Sequence, residues 1–114
     1  MPVTDEDVNT YAASLTKNGF FGPCSYYMNH PANHTYAQAA PNGGRIELPV
    51  LFLHGRYDTT CETVNSTLAE PMRELCPNLT EAIVDSGHWM AQERPTEVNR
   101  HLVHWLARCV PEAW

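Results

Sequence analysis

The segment LPVLFLHGRYD, residues 48–58, decides the fold. Its centre is an unbroken run of apolar residues, and such a run is typical of a strand in a parallel sheet that is covered on both faces. We predict this first strand over residues 46–53. A polar loop that carries Asp58 follows directly, so the segment predicts a buried strand with a carboxylate just beyond its carboxyl end.

A second strand and two helices follow the first strand in the sequence. Residues 79–84 predict the second strand, and residues 60–76, between the two strands, show helical spacing with an expected kink at Pro71. The last helix is predicted to start near Pro95. Its apolar face is formed by Val98, Leu102, Trp105 and Leu106. Two buried strands that alternate with helices are half of a doubly wound sheet, so the predicted fold class is α/β.

The N-terminal part of the chain has a different pattern. Thr4 begins a capping motif, and the apolar positions of residues 5–18 recur at helical spacing. An aromatic segment follows and can begin a second helix near Pro23. Residues 30–44 are rich in Pro, Asn, Ala and Gly and show no periodicity. They predict a linker or a long surface loop.

Length and composition exclude several classes of protein. A chain of 114 residues is at most one small domain, and the net charge of −6 with seven scattered Lys and Arg argues against nucleic-acid binding. No apolar stretch is long enough for a membrane span, and residues 1–20 do not resemble a signal peptide. We therefore expect a cytoplasmic protein whose cysteines are free thiols. These cysteines are Cys24, Cys61, Cys76 and Cys109.

Two residues with chemical potential follow the predicted strands. Asp58 comes after the first strand and His88 after the second, and reactive groups of open α/β sheets collect at the carboxyl ends of strands. If the strands are parallel neighbours, the two side chains can meet. A carboxylate beside an imidazole fixes the ring tautomer and stabilises the protonated ring. Both residues also have a structural interpretation, because Asp58 can cap a helix and His88 can be an ordinary turn residue.

Three segments together resemble soluble epoxide hydrolases, which have the α/β-hydrolase fold. The sequence GHWMAQERPTEVN at 87–99 resembles their histidine loop and the start of their last helix, and residues 48–58 resemble their acid strand and loop. The sequence GFFGPCSYY at 19–27 resembles the end of their cap domain. The resemblance covers nearly the whole chain except residues 30–44. It implies the C-terminal half of an α/β-hydrolase, with two parallel strands and flanking helices, preceded by the tail of the cap domain.

This resemblance also implies a division of the chain into three parts. Residues 1–29 are the end of the helical cap, residues 30–45 a linker, and residues 46–114 the C-terminal part of the α/β-hydrolase core. The implied substrate of the complete enzyme is a lipophilic epoxide, which is hydrated to a diol without a cofactor or a metal.

The resemblance also implies a role for three residues. Asp58 is the acid, His88 is the base that activates water, and Tyr27 is one of two cap tyrosines that hydrogen-bond the epoxide oxygen. The neighbours of Tyr27 depart from the family pattern, since Ser25 and Met28 replace the usual Asn and Arg.

Other parts of the family's active site are absent from the sequence. No Gly-x-nucleophile-x-Gly pattern and no His-Gly-x-Pro motif occurs, and His54-Gly55 is followed by Arg56-Tyr57. The second cap tyrosine is also missing. We therefore expect the isolated chain to lack the family's activity. We also expect it to self-associate or to require the missing N-terminal half, because two strands alone leave unpaired edges.

Two further interpretations of the sequence stay open. The chain can be a fragment of a haloalkane dehalogenase or esterase relative, although the segment around Tyr27 argues against this. It can also be a non-catalytic α/β-hydrolase remnant that acts through self-association. His101 and His104 have a spacing that can share a metal, but no third ligand is evident, so we interpret both as surface residues.

Overall fold

The computed structural model describes residues 3–111. Contacts divide this part of the chain into two compact units, a helical unit that ends at Gly44 and an α/β unit that begins at Arg45. Within the described residues, no helix is both long enough and apolar enough to cross a membrane.

The helical unit begins with α1 (Asp5–Asn18), as the capping motif predicted. The Thr4 hydroxyl accepts a hydrogen bond from the backbone N–H of Asp7 at 3.2 Å, and the Asp7 carboxylate accepts the Thr4 N–H at 2.9 Å. This reciprocal pair satisfies two backbone donors that the first turn of a helix leaves free. Gly19 then ends the helix with a φ of 71°, which glycine adopts without steric cost.

Two more helices and a short 3-10 turn complete the helical unit. Helix α2 (Phe21–Tyr27) starts slightly before Pro23, and helix α3 (His30–Gln38) is followed by the turn Pro41–Gly44. The prediction of a loop over residues 30–44 was therefore wrong. Helix α3 buries no residue, so its sequence needs no apolar periodicity, and a proline is accepted in its first turn.

The α/β unit contains the two predicted strands, β1 (Val50–Gly55) and β2 (Leu79–Val84). They pair in parallel, with Val50 opposite Leu79 and Gly55 opposite Val84. Strand β1 starts later than predicted because Pro49 has no backbone N–H to donate to a ladder. In the described part of the chain the sheet has two strands, so each strand keeps one unpaired edge.

The helix predicted over residues 60–76 is much shorter than expected. Only α4 (Glu70–Leu75) is helical, and Pro71 lies in its first turn, where it causes no kink. Upstream of α4, the Glu62 carboxylate accepts the backbone N–H groups of Val64 and Asn65, which a helix from residue 60 would bond to its own carbonyls. Such local side-chain bonds compete with helix formation.

Two helices follow β2, and the second of them packs against the sheet. The four-residue helix α5 (Met90–Glu93) leads into α6 (Pro95–Cys109), which starts where the sequence predicted. Helix α6 contacts both strands and buries Val98. Among the described residues of the unit, the other buried apolar side chains are those of Ala69, Cys76 and Val84. The four cysteines are free thiols, which confirms the expectation from the sequence.

Candidate active site

Asp58 lies in the loop after β1 and is buried. Its two carboxylate oxygens have separate partners. Oδ1 accepts the backbone N–H groups of Thr60 and Cys61, both at 2.9 Å, and Oδ2 lies 2.9 Å from Nδ1 of His88. The backbone bonds hold the carboxylate in place, and its second oxygen is left to orient the histidine.

His88 lies in the turn after β2, with 44% of its side chain exposed. Because an ionised carboxylate can only accept, the ring nitrogen that faces Asp58, Nδ1, must carry the proton. In the neutral ring, Nε2 is then unprotonated and able to take a proton from water. The rings of His88 and Trp89 pack edge to face, with their centroids 5.7 Å apart. This arrangement of carboxylate and imidazole is that of an acid–base pair.

The environment of Asp58 favours its ionised form. Its pKa is lowered from the ordinary value, first by the backbone hydrogen bond from Cys61 and then by the hydrogen bond from His88, while burial acts in the opposite direction. A carboxylate with a lowered pKa stabilises the folded state above its ordinary pKa. This contribution is lost as the pH falls through the lowered pKa of the folded protein.

The backbone joins the two loops beyond the ends of the strands. The N–H of Arg56 donates to the carbonyl of Val84, and the N–H of Tyr57 donates to the carbonyl of Ser86, both at 2.9 Å. These bonds extend the parallel ladder past Gly55. The loop after β1 is therefore fixed against the loop after β2, and this contact brings Asp58 to His88.

Gly55 allows the close approach of the two loops. A Cβ atom added at this position would lie 2.7 Å from the carbonyl oxygen of Gly87 and 3.2 Å from that of Ser86. Both obstacles are backbone atoms, which cannot rotate away. Since its backbone has no unusual φ, Gly55 is needed for space rather than for conformation.

Tyr27, the third residue predicted for the site, belongs to the helical unit, whereas Asp58 and His88 belong to the α/β unit. Tyr27 is the last residue of α2 and is exposed. Its ring packs edge-on against that of the neighbouring Tyr26, with the centroids 5.2 Å apart.

The structure shows a second histidine–carboxylate contact, centred on His54, that the sequence analysis missed. His54 is only 4% exposed, with Nδ1 2.8 Å from the Thr63 hydroxyl and Nε2 2.9 Å from the Glu81 carboxylate. Arg73 donates to both oxygens of Glu81 and is the main cause of its lowered pKa. The feature of the sequence that could have indicated this contact was a histidine at the end of an apolar strand.

This second cluster connects four parts of the α/β unit. Thr63 lies in the loop after β1, Arg73 lies on α4, and Glu81 lies on β2, so the buried ring of His54 joins them to β1. The four residues line a cavity of about 230 Å³. Because both nitrogens of His54 already have partners, we interpret the cluster as structural.

Metal ligands are not grouped in the part of the chain that the structure describes. Among residues 3–111, no three His, Cys, Asp or Glu side chains lie together in a way that could hold a metal ion. His101 and His104 are both on α6.

Comparison with known proteins relates the chain to epoxide hydrolases. It is 36% identical over 111 residues to Epoxide hydrolase B of Mycobacterium tuberculosis, a match that covers 95% of this chain and 30% of that protein. It is 31% identical over 105 residues to Bifunctional epoxide hydrolase 2 of Sus scrofa, which covers 91% of this chain and 18% of that protein. Epoxide hydrolase 3 of Siraitia grosvenorii is 34% identical over 109 residues, with 88% of this chain and 33% of that protein covered.

No family model matches the chain. The chain spans about a third or less of the length of these curated relatives, and it matches their C-terminal part. It is therefore related to the C-terminal part of epoxide hydrolases. Its helices and two parallel strands match the C-terminal portion of the α/β-hydrolase fold, as predicted.

Replacing Gly55→Ala is expected to separate the two loops, because the new methyl group collides with the carbonyl of Gly87. Overpacking of this kind costs about 1–3 kcal/mol in the free energy of unfolding, which urea titration measures. Gly22→Ala is the matched control, since a Cβ there meets nothing within 4 Å and Gly22 lies in helix α2. Equal stability of the Gly55→Ala and Gly22→Ala proteins would contradict the close approach.

Replacing His88→Ala is expected to raise the pKa of Asp58 only part of the way to its ordinary value. The hydrogen bond from His88 is lost, but the larger contribution, from the backbone N–H of Cys61, stays. Carbon-13 NMR titration of the Asp58 carboxyl measures this change, with His104→Ala as the control. An unchanged Asp58 titration in the His88→Ala protein would show that the two groups do not interact.

Proposed function

We propose that the chain supplies the acid and the base of an epoxide hydrolase, whose complete form hydrates lipophilic epoxides to diols. Asp58 is the acid of the pair and His88 is the base. The observation that carries this proposal is the 2.9 Å contact between Asp58 Oδ2 and His88 Nδ1, in loops that follow two adjacent parallel strands. The relatives named epoxide hydrolases support the same reaction class.

The orientation of His88 gives it one step in the reaction proposed for the complete enzyme. A nucleophilic carboxylate outside this chain attacks one epoxide carbon and forms an ester. The C–O bond to that carbon breaks, and the oxygen stays on the neighbouring carbon as an alkoxide that takes a proton from solvent. Nε2 of His88 then removes a proton from a water molecule, and the resulting hydroxide attacks the ester carbonyl. The diol leaves, the nucleophile is restored, and the imidazolium returns its proton to solvent.

Asp58 assists the proton transfer from water to His88 in two ways. Its carboxylate holds the proton of the neutral ring on Nδ1, so that Nε2 faces the water, and its negative charge stabilises the imidazolium that forms. The lowered pKa of Asp58 keeps the group ionised near neutral pH. The His88 side chain is 44% exposed, so water can reach the ring. General-base assistance of this kind contributes about 10²–10⁴-fold to a rate.

Tyr27 is the proposed donor to the epoxide oxygen. A phenol that hydrogen-bonds this oxygen stabilises the charge that develops on it as the ring opens. Tyr27 is exposed at the end of α2, so its hydroxyl is accessible within the helical unit. The adjacent Tyr26 is also exposed but is not assigned a role.

The proposed activity needs a nucleophile that we do not find in this chain. The sequence has no strand–nucleophile–helix turn of the Gly-x-nucleophile-x-Gly kind. Without the ester intermediate, the base has no group toward which it can direct water. We therefore propose that the chain is inactive by itself and requires the part of the fold that carries the nucleophile.

A chimera with an active relative tests these roles. The C-terminal segment of Epoxide hydrolase B that matches this chain is replaced by the chain itself, and hydration of trans-stilbene oxide is measured. We expect activity that falls by about 10²-fold or more in the His88→Gln and Asp58→Asn forms. Tyr27→Phe should lower kcat by about 10²-fold, because one donor to the developing oxyanion is lost.

Two further substitutions, one of a histidine and one of a tyrosine, serve as matched controls for the chimera. His104→Gln changes an exposed histidine on α6, and Tyr26→Phe removes the hydroxyl next to that of Tyr27. Both should leave the activity unchanged. A folded chimera whose activity survives His88→Gln would contradict the assignment of the base, and equal effects at Tyr26 and Tyr27 would contradict the assignment of the donor.

A second candidate function, self-association, is favoured by the open edges of the sheet. Within the described residues, each strand has one unpaired edge, and Ile83 of β2 is 41% exposed. Unpaired backbone groups beside exposed apolar side chains favour pairing with another chain. The chain would then be an α/β-hydrolase remnant that acts as an oligomer.

Light scattering of the purified chain measures this association. We expect oligomers that shift toward the monomer in the Ile83→Lys protein, because a lysine on a strand next to an open edge opposes pairing. Leu68→Lys, in the loop before α4 and also exposed, is the control and should not change the size. A monomer at all concentrations for the unchanged chain would rule out this function.

A further inference from the structure

The carboxylate of Glu93 lies against the turn that carries His88. It accepts the backbone N–H of Gly87, the residue before His88, at 2.8 Å. Glu93 is the last residue of α5 and is half-buried. The bond therefore runs from the helix that follows His88 back to the peptide that precedes it, so it closes the turn around the imidazole.

Backbone bonds from the loop after β1 hold this turn only as far as Ser86. Val84 and Ser86 accept the N–H groups of Arg56 and Tyr57, but the next peptide, at Gly87, is held by the Glu93 side chain. A bond from a neutral donor to a carboxylate is stronger than a bond between neutral groups. The last anchor before the His88 ring is therefore a side chain that substitution can remove.

The fit between Gly87 and Glu93 is close. A Cβ atom added to Gly87 would lie 3.0 Å from Glu93 Oε1, which is tighter than ordinary contact. Only a glycine at this position leaves the carboxylate room to approach the backbone N–H without displacement. The bond therefore depends both on the absence of a side chain at Gly87 and on the length of the Glu93 side chain.

We propose that Glu93 is a positioning residue for His88. By holding the Gly87 amide, it fixes the direction in which the His88 ring presents Nδ1 to Asp58 and Nε2 to water. The inference rests on the proposed function, in which His88 is the base. A displacement of about 1 Å in a reacting group can cost about 10²-fold in rate, so the anchor of the turn matters to the reaction.

Two variants separate the hydrogen bond of Glu93 from its charge. Glu93→Asp keeps the negative charge but shortens the side chain by one methylene, so its carboxylate no longer reaches the Gly87 N–H. Glu93→Gln removes the charge but keeps an oxygen that can accept. Since removing a negative charge lowers the pKa of other carboxyls, whereas losing the bond from His88 raises that of Asp58, the two effects have opposite signs.

The experiment measures amide hydrogen exchange at Gly87 and the carbon-13 titration of Asp58 in the full chain. In Glu93→Asp we expect protection of the Gly87 amide to fall by about tenfold, which corresponds to one hydrogen bond, and the pKa of Asp58 to rise. In Glu93→Gln we expect a smaller loss of protection and no rise in the pKa of Asp58. Glu74→Asp, at an exposed position on α4, is the matched control and should change neither quantity.

Two results would overturn the proposal. One is a Glu93→Asp protein that loses protection at Gly87 while the Asp58 titration stays unchanged. The other is a Glu93→Gln protein in which the pKa of Asp58 rises as much as in Glu93→Asp. Circular dichroism verifies that both variants are folded. Because neither readout uses an epoxide, a failure of the proposed hydrolase activity would be distinguishable from a failure of the positioning role.

Discussion

The parallel pairing of β1 and β2 is the interaction on which the candidate site depends. It directs the two loops that follow the strands to the same edge of the sheet, and backbone bonds from Arg56 and Tyr57 extend the contact beyond the ladder. An antiparallel pair would place these loops at opposite ends of the strands. The bond between Asp58 and His88 is thus a consequence of strand direction and register together with the absence of a side chain at Gly55.

The α/β unit contains two histidine–carboxylate contacts with different consequences. His54 is enclosed, and both of its ring nitrogens have side-chain partners, so its contacts join four parts of the unit. His88 is partly exposed, and only Nδ1 faces a carboxylate, so Nε2 remains for a proton from solvent. The chemical difference between the two imidazoles therefore comes from their exposure and from how many partners each ring has.

Much of this arrangement was predictable from the sequence, because the apolar run after Pro49 and the positions of Asp58 and His88 imply buried parallel strands with polar loops at one edge. The prediction of a helix over residues 60–76 was wrong because the Glu62 side chain binds backbone N–H groups of its first turns, and apolar spacing does not reveal such bonds. The contact between His54 and Glu81 joins residues distant in sequence, so no local pattern predicted it. The roles of Asp58, His88 and Tyr27 in a reaction stay predictions.

The tautomer of His88 tests the central claim most directly. Long-range proton–nitrogen NMR correlation of the chain labelled with nitrogen-15 histidine shows which ring nitrogen is protonated in the neutral ring. The acid–base pair requires the proton on Nδ1, where the Asp58 carboxylate accepts it, and a bare Nε2. A neutral His88 with its proton on Nε2 would contradict the account, because Asp58 would then not be orienting the His88 ring.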